Sequence, residues 1–307
     1  MAIITGTPEI DSLTGSSSSD IIFGRAENDI LRGLDGDDIL FGEAGIDLLD
    51  GGTGADLLFG GADTDLLGGG SGDDVLKGDA GSDALFGSEG NDVLDVGNGS
   101  DELFGDSGND YLAGRDDNDI LFGGEGNDVL IGGAGNDVFE SGTGDDYAAG
   151  DKGDDRLNGQ EGNDILTGGA GNDILRGVAP QLFGEGGPDP NAPIPGAGEV
   201  DVLTGGTGVD KFILGDTTNV YYDDGKKTTA GTNDYALITD FNKSQDVIEL
   251  KGTAADYILG SSPSNSLAGT ALFLNQPACE VDELIAIIQG DPNLSLSASY
   301  FTFASFG

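Results

Sequence analysis

Histidine is absent from the 307 residues. That excludes an imidazole general base, a Ser-His-Asp triad and a His-ligated zinc. A single cysteine, Cys279, allows neither an intrachain disulfide nor a cysteine metal cluster. Cations are scarce: 12 Lys+Arg stand against 57 Asp+Glu, a formal net charge of −45. No basic surface is available to grip nucleic-acid phosphates or an anionic membrane face. No apolar run approaches the roughly 20 residues of a membrane-spanning helix. Prolines number 9, and the 57 glycines follow no Gly-X-Y period, so a collagen helix is excluded.

What is present is a repeat. From Gly6 to Arg176 the chain divides into nineteen consecutive nine-residue units without insertion. Position six is Asp in every unit, beginning Asp11, Asp20 and Asp29 and ending Asp173. Position eight is a large apolar residue in eighteen units, Ala148 being the exception. Position one is Gly in seventeen, with Val96 and Ser141 departing, and position four is Gly in fourteen. Representative copies read GGEGNDVLI from Gly123 and GGAGNDILR from Gly168. Nine residues suit a tight glycine turn followed by a short strand with position eight facing inward. Two units make one 18-residue coil with a strand on each side, and coils stack at the roughly 4.8 Å spacing of a β-sheet.

Stacking carries an electrostatic cost, because the position-six carboxylates then form two files with neighbours one rung apart. A divalent cation between turns reverses the sign. The donors available are carboxylate and carbonyl oxygens on a pliable backbone, which favours calcium over zinc or magnesium. If each site needs two turns one coil apart, nineteen turns less two leave up to 17 calcium sites. Filled, these would add +34 and bring −45 to −11.

The units resemble the GGxGxDxUx nonapeptide of RTX, or haemolysin-type calcium-binding, proteins. That resemblance implies an all-β fold: a right-handed parallel β-roll, with Ca2+ held by position-six carboxylates and by carbonyls at positions one to four. It carries the ligand role to Asp29, Asp38, Asp47, Asp56, Asp65, Asp74, Asp83, Asp92, Asp101 and Asp110. It continues through Asp119, Asp128, Asp137, Asp146, Asp155, Asp164 and Asp173. Two further units at about 199–215 add Asp201 and Asp210. Among the turn glycines it points to Gly36, Gly45, Gly54, Gly72, Gly81, Gly90, Gly108, Gly126, Gly135, Gly153, Gly162 and Gly171. Ser16 to Ser19 replace one glycine turn, and Glu9, Ser18, Glu27, Asp63 and Asp117 occupy position four, so weaker or missing sites are expected there.

The C-terminal stretches GGTGVDKFIL at 205–214 and ITDFNKSQDVIEL at 238–250 look like the segment closing the roll in serralysin-type secreted proteases. The zinc motif of those proteases is missing. The chain therefore divides into a roll over 1–215 and a capping and secretion-signal part over 216–307. Residues 1–20 lack a cleaved-signal pattern. The resemblance implies instead an uncleaved C-terminal signal read by type I secretion machinery. The charge-free tail LSLSASYFTFASFG suits that role and equally suits a terminal strand.

Outside the repeats, Val281, Leu284, Ile285 and Ile288 have helical spacing and predict a short amphipathic helix over 280–289, giving the cap mixed α/β character. Residues 178–198 hold five prolines and read as a loop extruded from the roll or as a linker. Tyr221 to Asp224 read as a turn with core tyrosines or as a binding patch. At position nine Phe23, Phe41 and Phe59, then Phe86, Phe104 and Phe122, recur every 18 residues. They read as stacked ladders or as an apolar contact surface. The function expected is a secreted, extracellular or cell-surface, non-enzymatic calcium-binding protein, structural in role, with itself, through its sheet faces, or surface polysaccharide as the partners to consider. The alternative is a polysaccharide-binding module or accessory subunit of an extracellular enzyme. Nearly every candidate carboxylate sits at a metal position, which argues against an enzyme.

Overall fold

In most repeats the order Asp, aliphatic, Leu, variable, Gly alternates inward and outward, the two-residue period of a strand. The computed structural model follows that pattern and describes residues 1–178, 199–215, 234–263, 267–275, 283–290 and 293–304. Two compact units emerge, Met1–Thr143 with Ala149–Lys152, and Gly144–Ala148 with Gly153–Gly307.

The first unit is a parallel β-solenoid. Its strands run from Ile3–Thr5 and Ser12–Thr14 to Val129–Ala134 and Val138–Thr143, and alternate between two sheets. Each strand pairs in parallel with the strand 18 residues on, so Leu40 faces Leu58 and Phe41 faces Phe59. Position eight fills the interior: Leu31, Leu40, Leu49, Leu58, Leu67 and Leu76 are fully buried. Position nine lies outward and half-buried. Phe23, Phe41 and Phe59 stack at 5.0 and 4.8 Å between ring centroids, and Phe86, Phe104 and Phe122 at 4.7 and 4.8 Å on the other sheet. Past the first ladder, Lys77 and Asp95 take over position nine. Arg115 grips Asp95 through two hydrogen bonds of 2.7 and 2.8 Å.

The second unit keeps the same construction. Arg156–Glu161 and Ile174–Val178 pair in parallel, and so do Ile165–Ala170 and Val200–Thr207. Between the latter two the register advances 37 residues instead of 18, Ile165 facing Val202. The repeats therefore resume in phase after the proline-rich stretch, of which 179–198 lie outside the described residues. Parallel pairing runs on through Tyr235–Phe241 to Glu283–Gly290, and through Lys211–Ile213 and Val247–Lys251 to Phe301–Ala304. Thr270–Leu274 then pairs antiparallel with Glu283–Gly290, and Tyr257–Ser261 pairs antiparallel with Thr270–Leu274 at the sheet edge.

Here the sequence expectation needs correction. Residues 283–290 form a strand and not part of a helix, and among the described residues the only helical element is one 3-10 turn at Ala254–Asp256. The reason is burial on both faces. Leu284, Ile285, Ala286, Ile287 and Ile288 are all 1% exposed or less, so the segment is a continuous apolar strand between two neighbours, without the polar face an amphipathic helix requires. Ala271, Leu284 and Ile287 form a cluster with Tyr235, Leu237, Leu267 and Phe273 packed against it. The cap is built of strands. Cys279 and Tyr221 to Asp224 lie outside the described residues.

Candidate metal centre

Because position six precedes the inward position eight by two residues, its side chain also points inward. Asp29, Asp38, Asp47, Asp56, Asp65 and Asp74 are each 2% exposed or less, and the same position stays buried through Asp173, Asp201 and Asp210. A buried carboxylate needs partners. One oxygen has a constant one: the backbone N–H of each Asp donates to Oδ1 of the Asp one coil on. The distance is 2.7 Å from Asp29 to Asp47 and from Asp38 to Asp56, and 2.9 Å from Asp101 to Asp119. Across the longer register Asp164 donates to Asp201 at 2.9 Å, and Asp173 to Asp210 at 3.0 Å.

The other oxygen is different. Oδ2 of Asp29, Asp38, Asp47, Asp56, Asp65, Asp74, Asp83, Asp92, Asp101, Asp110, Asp119, Asp164 and Asp173 is buried and accepts no hydrogen bond. A row of buried, anionic, orphaned oxygens is unfavourable for the protein alone. The acidities register this. Burial, reinforced by neighbouring carboxylates, raises Asp47 and Asp56 to about 6, Asp65 and Asp74 to about 7, Asp119 to about 8 and Asp164 to about 9. Backbone and hydroxyl donors instead hold Asp20 below the ordinary carboxylate range, the Ala2 N–H foremost.

Most of the open oxygens face a glycine; Asp101, with Val96 at position one, is an exception. A Cβ on Gly33, Gly42 or Gly51 would fall on Oδ2 of Asp38, Asp47 or Asp56, the aspartate five residues on in the same turn. Position four closes the bend from the other side. Gly36, Gly45, Gly54, Gly72, Gly90, Gly108, Gly126, Gly153, Gly162 and Gly171 all have φ between +114° and +153°. A Cβ on Gly54 would strike the Gly36 carbonyl one coil earlier, and one on Gly81 or Gly135 would likewise strike the carbonyl of Asp63 or Asp117. Among the described residues no three acidic side chains converge. A cation cage here would therefore combine at most two carboxylates with main-chain carbonyls, an all-oxygen donor set of the kind hard cations take. The orphaned oxygens and the carbonyl-lined glycine bends fit calcium.

The irregular turns separate into two kinds. Glu27, Asp63 and Asp117 keep the position-four bend at φ 67°, 75° and 74°, and Asp29, Asp65 and Asp119 in those turns retain an open oxygen. At Glu9 and Ser18 the positive φ is missing. Two inward aspartates escape the sequence reading, Asp234 and Asp246, at 2% and 5% exposed. Their signal is the Asp-x-apolar triplet in Asp234-Tyr235-Ala236 and Asp246-Val247-Ile248, without the glycine turn before it.

Comparison with known protein families agrees with the repeat read from the sequence. The family model of the RTX calcium-binding nonapeptide repeat (4 copies) matches in overlapping blocks from 5–40 to 140–175. No curated protein matches the chain. Among solved structures, the AlgE6R3 subunit of the Azotobacter vinelandii mannuronan C5-epimerase aligns at 24% identity. That alignment covers 62% of this chain and 79% of the other, with a TM-score of 0.21. The blocks of the family model span more than half of the residues, and the chain belongs to the RTX calcium-binding nonapeptide repeat family.

Proposed function

We propose that this is a secreted, non-enzymatic structural protein of a bacterial cell surface or extracellular matrix, which folds when calcium binds after export. The observation that carries the reading is the row of buried Oδ2 atoms without a partner, most of them facing a glycine. Asp29 through Asp173, with Asp201 and Asp210, would hold the ions together with the carbonyls of the bends, up to 17 ions in the main array. A bound ion supplies positive charge to carboxylates that oppose one another when stacked. The rest of the reading concerns the chain itself. Its aspartates fix the turns through the Oδ1 bonds, its leucines fill the interior, and its outward faces are left for neighbours. Export fits the family's calcium-dependent logic: extracellular modules bind at about 10⁻⁴–10⁻³ M, so the chain stays unfolded where calcium is scarce.

Within 216–307, the antiparallel strands beside Glu283–Gly290 suit a cap that covers an otherwise open sheet edge. No helix among the described residues is long and apolar enough to cross a membrane. Far-UV circular dichroism tests the core of the reading. In EDTA the spectrum is that of a mostly unfolded chain, and millimolar calcium restores the β signal. Identical spectra in both conditions reject metal-coupled folding.

A further inference from the structure

The inward aspartates do not all leave an oxygen open. Asp11 Oδ2 accepts from the backbone N–H of Thr7 and, at 3.0 Å, from the Thr7 hydroxyl. Asp20 Oδ2 accepts from the N–H of Ser16 at 2.8 Å and from its hydroxyl, also at 2.8 Å. Both donors belong to position two, four residues before the aspartate. From Asp29 onward position two does something else. Arg25 and Leu34 have φ of 98° and 85°, and the carboxylates they precede, Asp29 and Asp38, have an open Oδ2.

A hydroxyl at position two is not sufficient for this. Ser88 occupies the same place before Asp92, but its φ is 83° and Asp92 Oδ2 accepts nothing. Thr7 and Ser16 have no positive φ, which lets both their N–H and their hydroxyl reach the carboxylate. Near the C-terminus the device recurs at the same offset: the N–H of Asn242 donates to Asp246 Oδ2 at 2.7 Å, while Asp246 Oδ1 accepts from Asp210 at 3.2 Å.

We propose that the turns of Asp11 and Asp20 take no calcium, and that Thr7 and Ser16 supply the donors a cation supplies elsewhere. The N-terminal end of the roll is then a metal-independent cap, and Asn242 does the same for Asp246 in the second unit. Neutral N–H and O–H donors satisfy a carboxylate without adding charge. This inference rests on the reading of the open oxygens as calcium ligands.

Native mass spectrometry of the full chain in millimolar calcium separates the two. D11N and D20N are expected to bind the wild-type number of ions, whereas D38N and D47N each lose at least one. A loss in D11N or D20N matching that in D38N overturns the cap. Wild-type counts in D38N and D47N would sink the calcium reading itself. Should D11N or D20N fail to fold, Ser16→Ala keeps the carboxylate and removes one donor. The expected result is an unchanged ion count with a lowered melting temperature in calcium, and a lowered count overturns the proposal.

Discussion

At position four the backbone does something a side chain resists. Gly90 sits at φ +143°, and a Cβ there would overlap the Gly72 carbonyl one coil earlier. Glu27, Asp63 and Asp117 occupy the same position only by moving to φ of 67–75°, inside the left-handed region that acidic residues tolerate. Gly90→Ala is therefore expected to destabilise the calcium-loaded protein by about 1–3 kcal/mol, read as a lowered unfolding midpoint. Acidity provides a second test at this scale. In the metal-free fold, burial raises Asp65 and Asp74 to about 7 and Asp119 to about 8, so the folded form binds more protons than the unfolded one above the ordinary carboxylate pKa. The associated stability is present below about 4 and is lost as the pH rises through about 6 to 8. In EDTA, β content should be higher at pH 5 than at pH 8, and calcium affinity should fall on acidification because protons compete for the same oxygens. A flat pH profile in EDTA would argue that these carboxylates do not oppose folding.

Strands and ladders answer to packing more than to charge. Leu67 is fully buried in a slot whose neighbours repeat it, with Leu49 and Leu85 in register on either side. Leu67→Ala should cost about 2–5 kcal/mol in calcium, measured by thermal or denaturant unfolding. The aromatic ladder is a milder case: Phe41, stacked between Phe23 and Phe59, should lose about 0.5–1.5 kcal/mol of stacking on replacement by Leu. The nonapeptide made these elements legible, since position six, position eight and the following glycine alternate and fix which side chains face in. The segment 283–290 was not legible in the same way. Leu284, Ile285 and Ile288 have helical spacing, but Ile287 and Ala286 are equally buried, and a run apolar on both faces takes its form from the strands beside it. Asp234 and Asp246 were hidden for a related reason, because their inward role survives without the glycines that advertise it. At the other end Glu9, Ser18 and the serines that replace a glycine turn already mark the turns of Asp11 and Asp20 as irregular in the sequence. What the sequence did not show is the bonding that takes over, from Thr7 and Ser16 to the two carboxylates.

For the molecule as a whole, the net charge of −45 is the dominant fact, and it belongs to the chain without its ions. Self-repulsion at that net charge opposes a compact state, and bound cations would reduce it. The C-terminal segment adds a cellular test. Removing residues 248–307 should leave the protein inside the producing cell, whereas normal export of the truncated chain would reject an address in that segment. Finally, the register between Ile165 and Val202 holds although 37 residues separate them, and Val200 pairs with Tyr235 at a separation of 35. Strand register is thus kept across both of these longer separations. Foreign peptides spliced between Val178 and Glu199 would be displayed at a known height on an otherwise unaltered ladder, making this chain a ready scaffold for grafting.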